Sequence, residues 1–455
     1  MLTHEENETL SRTGPGTPMG NLFRCFWLPA LLSADMPAPD SPPVRLRILS
    51  EDLVAFRDSN GRVGIINAYC SHRLAPLFFG RNEQGGLRCP YHGWKFDVGG
   101  NCLETPNVSV KSAGARNAAS LKSYKTHEVA GVVWVYMGPQ ETPPDFPAFD
   151  HAGTPEGHHY SARWIQRSNW SQGMEGEIDS SHISWLHEDF DKKDSVRNSF
   201  GSQHGNDRAP KIEHRETPYG LTYGARRELQ GGWYWRVTQW IAPMFSLIPH
   251  EPGPFVKCGG RAWVPIDDNH VTVFTFAHRI DRPWQEEELE TFRSGAVFPP
   301  RMTKGAYALP DGYVIDTYLP AANKENDYLI DREMQRTKNY SGIWGIHDQD
   351  RSLAESSKPV DPKDPGIIDR SQEHLVGSDK VIVIARRQLL KMAKDLASGT
   401  PPEMVARPEL FGVRAISKIC AIPDFETLML EHGHEARIPG GSHDEKAALT
   451  TGPVS

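Results

Sequence analysis

Cysteine is scarce: six residues among 455 cannot staple a chain of this length, which excludes a disulfide scaffold. Long apolar runs are missing too. The longest uninterrupted one, residues 132–137, is far shorter than the roughly 20 residues a membrane helix needs, so no span is expected. Positive charge is not in excess. With 50 Lys and Arg against 58 Asp and Glu the net charge is -8, which leaves no basic footprint for nucleic acid. The start, Met1-Leu-Thr-His-Glu-Glu-Asn-Glu, is acidic and polar, unlike the basic-then-apolar start of a secretory signal, and a cytoplasmic location is the expectation. The length allows two or three domains with sizeable cores.

Two of the few cysteines stand in a pattern. Cys70-Ser71-His72 is followed, after 16 residues, by Cys89-Pro90-Tyr91-His92-Gly93-Trp94. Two thiolates and two imidazoles in alternating order suit a Rieske [2Fe–2S] cluster, where one iron takes both cysteines and the other both histidines. Each half-motif then gives a ligand to each iron, so two short loops must face each other. A structural Cys2His2 zinc site takes the same ligand types, but zinc fingers usually group Cys with Cys and His with His. Cys25, Cys102, Cys258 and Cys420 are scattered and read as buried free thiols.

The first third reads as β-rich. Val44, Leu46 and Ile48 alternate with arginines, and residues 53–56 and 63–66 flank Asn60-Gly61, a hairpin-turn signal. Both half-motifs fall on loops between strands. Val98-Gly99-Gly100-Asn101 predicts another turn, and residues 132–137 a buried strand. Prolines 143, 144, 147 and 155 mark a linker. The expected organisation is an N-terminal segment (1–40), a first domain (41–140), the linker (141–157), a second domain (158–438) and a flexible tail (439–455). In the second domain a helical stretch is expected around 170–186, then a polar irregular segment to about 210. Strands follow at 221–228, 234–241 and 271–276, the last with clean alternation. Ser378 is placed to cap a C-terminal helix whose apolar positions include Val381, Ile384, Ala385, Leu389 and Met392 and which ends before Gly399.

Asp179-x2-His182-x4-His187 is the second constellation. On a helix Asp179 and His182 share a face, whereas His187, five residues beyond His182, is rotated off it. Both histidines can reach one ion only if the helix ends or bends between them. Two histidines with one carboxylate make the facial triad of non-haem Fe(II) oxygenases, which leaves positions free for dioxygen.

Taken together these stretches resemble the oxygenase component of Rieske non-haem iron aromatic-ring-hydroxylating oxygenases, with a phthalate 4,5-dioxygenase-like subgroup nearest in pattern. Carrying the resemblance are Thr13-Gly-Pro-Gly-Thr-Pro-Met-Gly20, the two half-motifs, Asn169-Trp-Ser-Gln-Gly-Met-Glu175-Gly-Glu-Ile-Asp179, Gln349-Asp350 with Glu355, and Asp369-Arg-Ser-Gln-Glu-His374-Leu. It implies an α+β fold: an all-β Rieske domain followed by a catalytic domain with a curved antiparallel sheet flanked by helices. It also implies a [2Fe–2S] cluster on Cys70, His72, Cys89 and His92, and a mononuclear Fe(II) on His182, His187 and Asp350. The residues alone leave Asp348, Asp369 and Asp379 open for that last ligand. Asp179 is implied to bridge His182 to His92 of the next chain, as an electron path between subunits. Glu175 stands where many ring hydroxylases carry asparagine. Trp94, Trp170 and Trp185 read as packing residues.

Respiratory Rieske proteins carry an extra cysteine in each half-motif; here Ala75 and Tyr91 hold those places, so the cluster is expected to be of the low-potential kind without a disulfide. The implied partners are an NAD(P)H-dependent flavin or iron–sulfur reductase, a small aromatic substrate with O2, and further copies of the chain in a homotrimer or stacked trimers. For an aromatic carboxylate the candidates are Arg197, Arg208, Arg215, Arg226, Arg227 and Arg236, most of them read as surface charges; Phe245, Leu247 and Ile248 read first as core packing and second as pocket walls. Dioxygenation, monooxygenation and O-demethylation all stay open, and a soluble Rieske electron carrier is the rival from another class.

Overall fold

The computed structural model describes residues 2–108, 119–190, 207–249 and 257–438, without the side chains of 257 and 258. The expected tail at 439–455, Arg197, the Cys258 side chain and most of the irregular segment before 210 lie outside the described residues.

Ten strands build the first half: β1 (Trp27–Leu32), β2 (Val44–Ile48), β3 (Glu51–Arg57), β4 (Val63–Asn67), β5 (Arg81–Glu83), β6 (Gly86–Arg88), β7 (Lys95–Phe96), β8 (Cys102–Glu104), β9 (Ser123–Val129) and β10 (Val132–Tyr136). Six form an antiparallel sheet in the order β1-β10-β9-β4-β3-β2, and β5 to β8 form a second, four-stranded meander. The β3–β4 turn runs through Gly61 at φ 80, a left-handed position that glycine takes at little cost. Val132–Tyr136 is buried at every residue, as a central strand covered on both faces must be.

The second half is organised by an antiparallel sheet of β11 (His159–Gln166), β12 (Lys211–Thr217), β13 (Gly220–Leu229), β14 (Gly232–Ile241), β15 (Phe245–Leu247), β16 (Lys257–Pro265) and β17 (Val271–Arg279), in the order β11-β17-β16-β15-β14-β13-β12. A further strand, Ile416–Cys420, pairs with β14. The alternation expected in β17 holds only for its first residues. From Val273 onward every residue is buried, because both faces of the sheet are covered.

The helical stretch expected around 170–186 is two helices. Trp170–Ile178 ends at Asp179, whose backbone is extended (φ -82, ψ 107), and a single turn, Ile183–Leu186, follows. Asp179 and His182 therefore do not share a helix face, and the break falls before His182 rather than between the histidines. The first helix is capped by Asn169 and pinned at its start by Trp170, whose Nε1 donates to the carbonyl of Leu10 in the N-terminal helix His4–Ser11 (3.1 Å). The long C-terminal helix, Lys380–Ala397, starts one residue later than Ser378 would set it: Asp379 is the N-cap and no side chain caps the turn. Its apolar positions Val381, Ile384, Ala385 and Leu389 are buried, and Gly399 at φ 89 ends the run.

Candidate metal centres

Two twin loops carry the half-motifs. In the first, the Cys70 N–H donates to Ala75 O (2.9 Å) and Leu74 N–H to Cys70 O (2.9 Å). In the second, Cys89 N–H donates to Trp94 O (2.7 Å) and Gly93 N–H to Cys89 O (3.0 Å). The fifth residue of each, Leu74 and Gly93, is left-handed (φ 56 and 77). The repeated geometry aims two Cys–His pairs at each other. The thiols of Cys70 and Cys89 are buried, while His72 and His92 are half-buried, with ring centroids 4.6 Å apart.

Burial, with the neighbouring Cys89 adding to it, pushes the Cys70 thiol up to about 11, so a bound cation is what would make it a thiolate. A single zinc would need all four ligand atoms within one small sphere. Among the described residues, no three of these four come within 4.8 Å of one another, which suits the wider span of a two-iron cluster. Trp94, read from sequence as packing, lies parallel to the His72 ring at 4.5 Å and donates its Nε1 to Asn107 (2.7 Å).

The second centre gathers on the helix break. His182 Nε2 lies 3.2 Å from His187 Nε2 and 3.6 Å from Asp350 Oδ1, and His187 Nε2 is 3.1 Å from the same oxygen. Two ring nitrogens facing each other across a shared carboxylate are the donor set an ion would fill. The helix Ile346–Ala354 supplies Asp350 and also excludes its rival. Asp348, two residues earlier, faces the opposite side, pairs with Arg351 (2.8 Å) and is pushed up to about 6 by burial. Asp369 accepts from the Ser371 hydroxyl, and Asp379 accepts from the Val376 N–H (2.8 Å).

The proton positions follow from neighbours. Gln349 donates its Nε2 to Ile343 O (2.9 Å), which leaves its Oε1 to accept from His187 Nδ1 (2.7 Å). With the Nδ1 N–H so engaged, a neutral His187 ring has its Nε2 lone pair available for an ion shared with Asp350. Asp179 accepts from the Ser181 N–H (2.7 Å) and hydroxyl (2.8 Å) through Oδ1 and faces His182 Nδ1 with Oδ2 (3.5 Å). Burial would raise the Asp179 carboxyl; His182 and Ser181 outweigh it and hold it at about 2. Burial pulls the His182 imidazolium down, but Asp179, with Asp350 adding to it, outweighs burial and raises it.

A cavity of about 290 Å3 opens beside the three groups, walled by Ile183, Leu186, Trp263, Phe298 and Ile346 and by the face of the helix Trp170–Ile178. Arg261 lines it, paired with Glu177, and its buried Nε has no hydrogen-bond partner among the described residues.

Residues 26–125 match the family model of the Rieske [2Fe-2S] domain, and residues 135–422 match the model described as LigXa C-terminal domain like. The chain is 37% identical over 412 residues to the 3-chlorobenzoate-3,4-dioxygenase oxygenase subunit of Comamonas testosteroni, covering 88% of this chain and 91% of that one. The chain belongs to the Rieske non-haem iron oxygenases.

A second relative of this Rieske oxygenase is the phthalate 4,5-dioxygenase oxygenase subunit of Pseudomonas putida, 37% identical over 86% of each chain. The 5,5'-dehydrodivanillate O-demethylase oxygenase subunit of a Sphingobium strain is 28% identical over 93% of this chain and 87% of its own. Among solved structures, NdmA of Pseudomonas putida CBB5 with caffeine superposes with a TM-score of 0.56 over 90% of this chain and all of that one, and apo dicamba monooxygenase with 0.54 over 83% and 99%. Both share 16% identity with this chain and speak for the fold. A second, oxygenase-type domain after the Rieske domain sets aside the soluble electron carrier. No helix among the described residues is long and apolar enough to cross a membrane.

Sequence reading of this Rieske oxygenase missed several positions. Arg227, one of six arginines of which most were read as surface charges, is fully buried and donates to Ser180 O (2.6 Å) and Ser184 Oγ (3.3 Å), gripping the helix break. Arg236 is buried and lines the cavity, Arg208 stacks over the exposed Trp185, and Arg215 pairs with Glu426. Phe245 lies in the core with Leu247 packed against it, as the leading reading of that stretch has it, and only Ile248 of the three lines the cavity. Cys102 is buried, but Cys25 and Cys420 are only half-buried. Glu175 lies buried between Arg370 and Arg386. Arg261 carries no local sequence signal, since only the sheet brings β16 against the helix break.

Proposed function

We propose that this chain is a terminal oxygenase that hydroxylates an aromatic carboxylate. Its electrons would come from NAD(P)H through a separate flavin or iron–sulfur reductase. The observation that carries the reading is the meeting of His182, His187 and Asp350 on the wall of a largely apolar cavity. Iron in that set, and a [2Fe–2S] cluster on Cys70, His72, Cys89 and His92, would supply the one-electron chemistry that activates dioxygen.

The chain's own residues do the rest. Gln349 keeps the His187 proton on Nδ1, and Asp179 holds the Nδ1 side of His182. The apolar walls exclude bulk water from the ring to be oxidised. Arg261 offers an unused buried N–H to an anionic group, and relatives named for 3-chlorobenzoate, phthalate and phenoxybenzoate support a carboxylate there. Asp179 would also meet His92 of a neighbouring copy, which requires head-to-tail contacts that close into a ring; a homotrimer, or stacked trimers, is the ring that the family resemblance implies.

Oxygen uptake by the reconstituted chain tests this. With NADH, a surrogate reductase and substituted benzoates, uptake should match hydroxylated product. Asp179→Asn should load both centres yet lose activity about 10- to 100-fold. Normal turnover by that variant removes Asp179 from the path, and uptake with neutral aromatics alone removes the carboxylate. Formaldehyde released from a methoxybenzoate would move the reading to O-demethylation, as the name of the 28%-identical relative suggests.

A further inference from the structure

The helix Trp170–Ile178 contains two glycines three residues apart, and only one has a packing reason. A Cβ on Gly173 would stand 2.1 Å from the Trp263 ring, so nothing larger fits between helix and β16. A Cβ on Gly176 would meet nothing within 4 Å among the described residues. Its backbone is helical with no positive φ, so any residue could adopt it. A glycine inside a helix lowers stability relative to alanine, and here neither packing nor conformation asks for one.

What Gly176 does face is the cavity: it is exposed while Met174, Glu175 and Ile178 around it are buried, and it lines the same space as His182, His187 and Asp350. Asp179 lies three residues further on, about 4.5 Å along the axis. The gap above Gly176 therefore sits beside the metal-facing end of the helix.

We propose that Gly176 is a specificity-determining position: the space left by its missing side chain takes the part of an aromatic substrate that extends beyond the first ring. This rests on the cavity being the substrate site. A side chain there would shorten the cavity without touching the ligands, so size selection and metal loading should separate.

Titration calorimetry on the full chain with benzoate and 4-phenylbenzoate, and with the two corresponding amides, tests the proposal. Gly176→Ala should raise the melting temperature by about 2 °C, whereas Gly173→Ala lowers it. It should leave affinity for the single-ring probe within about twofold and weaken the two-ring probe about tenfold, and Gly176→Leu should abolish two-ring binding. A lower melting temperature for Gly176→Ala, an equal loss for both probe sizes, or an unchanged two-ring affinity in Gly176→Leu overturns the assignment. A fall in assembly mass with unaltered size preference places Gly176 at an interface and overturns it too. If only the amides bind, the carboxylate reading fails while their size contrast still decides Gly176. If neither pair binds, the cavity is not the substrate site and both readings fall.

Discussion

His187 can serve a metal through Nε2 only while its proton rests on Nδ1, and Gln349 decides where that proton sits. Its amide is oriented by donation to Ile343 O, so its oxygen is the group left for the imidazole. Gln349→Leu removes this acceptor without adding charge, and iron should be retained about 10- to 100-fold less tightly, read as faster loss to a chelator. Retention equal to the wild type would mean that Asp350 and packing alone orient the ring. At this scale the sequence was uneven. The alternation of Cys70, His72, Cys89 and His92 was legible because it lies on two short loops, whose matching hydrogen bonds bring the two Cys–His pairs face to face. Asp350 was not separable from Asp348 by spacing. Their difference is the 200° or so between residues two apart on a helix, which turns one toward the histidines and the other toward Arg351.

Elements are positioned by buried polar groups that span the sequence. The helix break at Asp179 to Ser181 is tied down by Arg227 and by the Tyr223 hydroxyl, which donates to Ile178 O (2.6 Å). Those partners are more than forty residues away, so the break was invisible to local pattern, and the stretch read as one helix. The turn Asp150–Gly153 shows another such group. His151 is stacked among Trp134, Phe149 and Phe276, between the β10 and β17 sheets. Burial, with His278 adding to it, pushes its imidazolium down to about 3. The fold thus keeps it neutral, while the unfolded chain takes up a proton near 6.5. Stability from this group is complete above pH 6.5 and falls as pH drops toward 3, by up to about 1.4 kcal/mol per pH unit. Urea unfolding at pH 7.5 and 5.5 should show a smaller loss for His151→Phe than for the wild type. Equal losses would place the acid sensitivity elsewhere.

At the scale of the whole molecule, the two sheets share one continuous core, with β10 of the first packed through Trp134 against Phe245 and Phe276 of the second. The N-terminal segment joins both halves. Trp27–Leu32 completes the first sheet, while His4–Ser11 and Pro18–Arg24 pack on the C-terminal helix and beside Trp170. Alternation and turn signals made the strands legible one by one; the order in which they assemble depends on contacts between residues hundreds apart, which no local pattern carries. The account's central claim is that one chain holds two separate iron centres. Counting iron and acid-labile sulfide in anaerobically purified protein tests it most directly. The wild type should carry about three irons and two sulfides per chain, and Asp350→Ala about two of each with the Rieske absorption and EPR signal unchanged. Zinc without sulfide in the wild type, or three irons kept in Asp350→Ala, would contradict it.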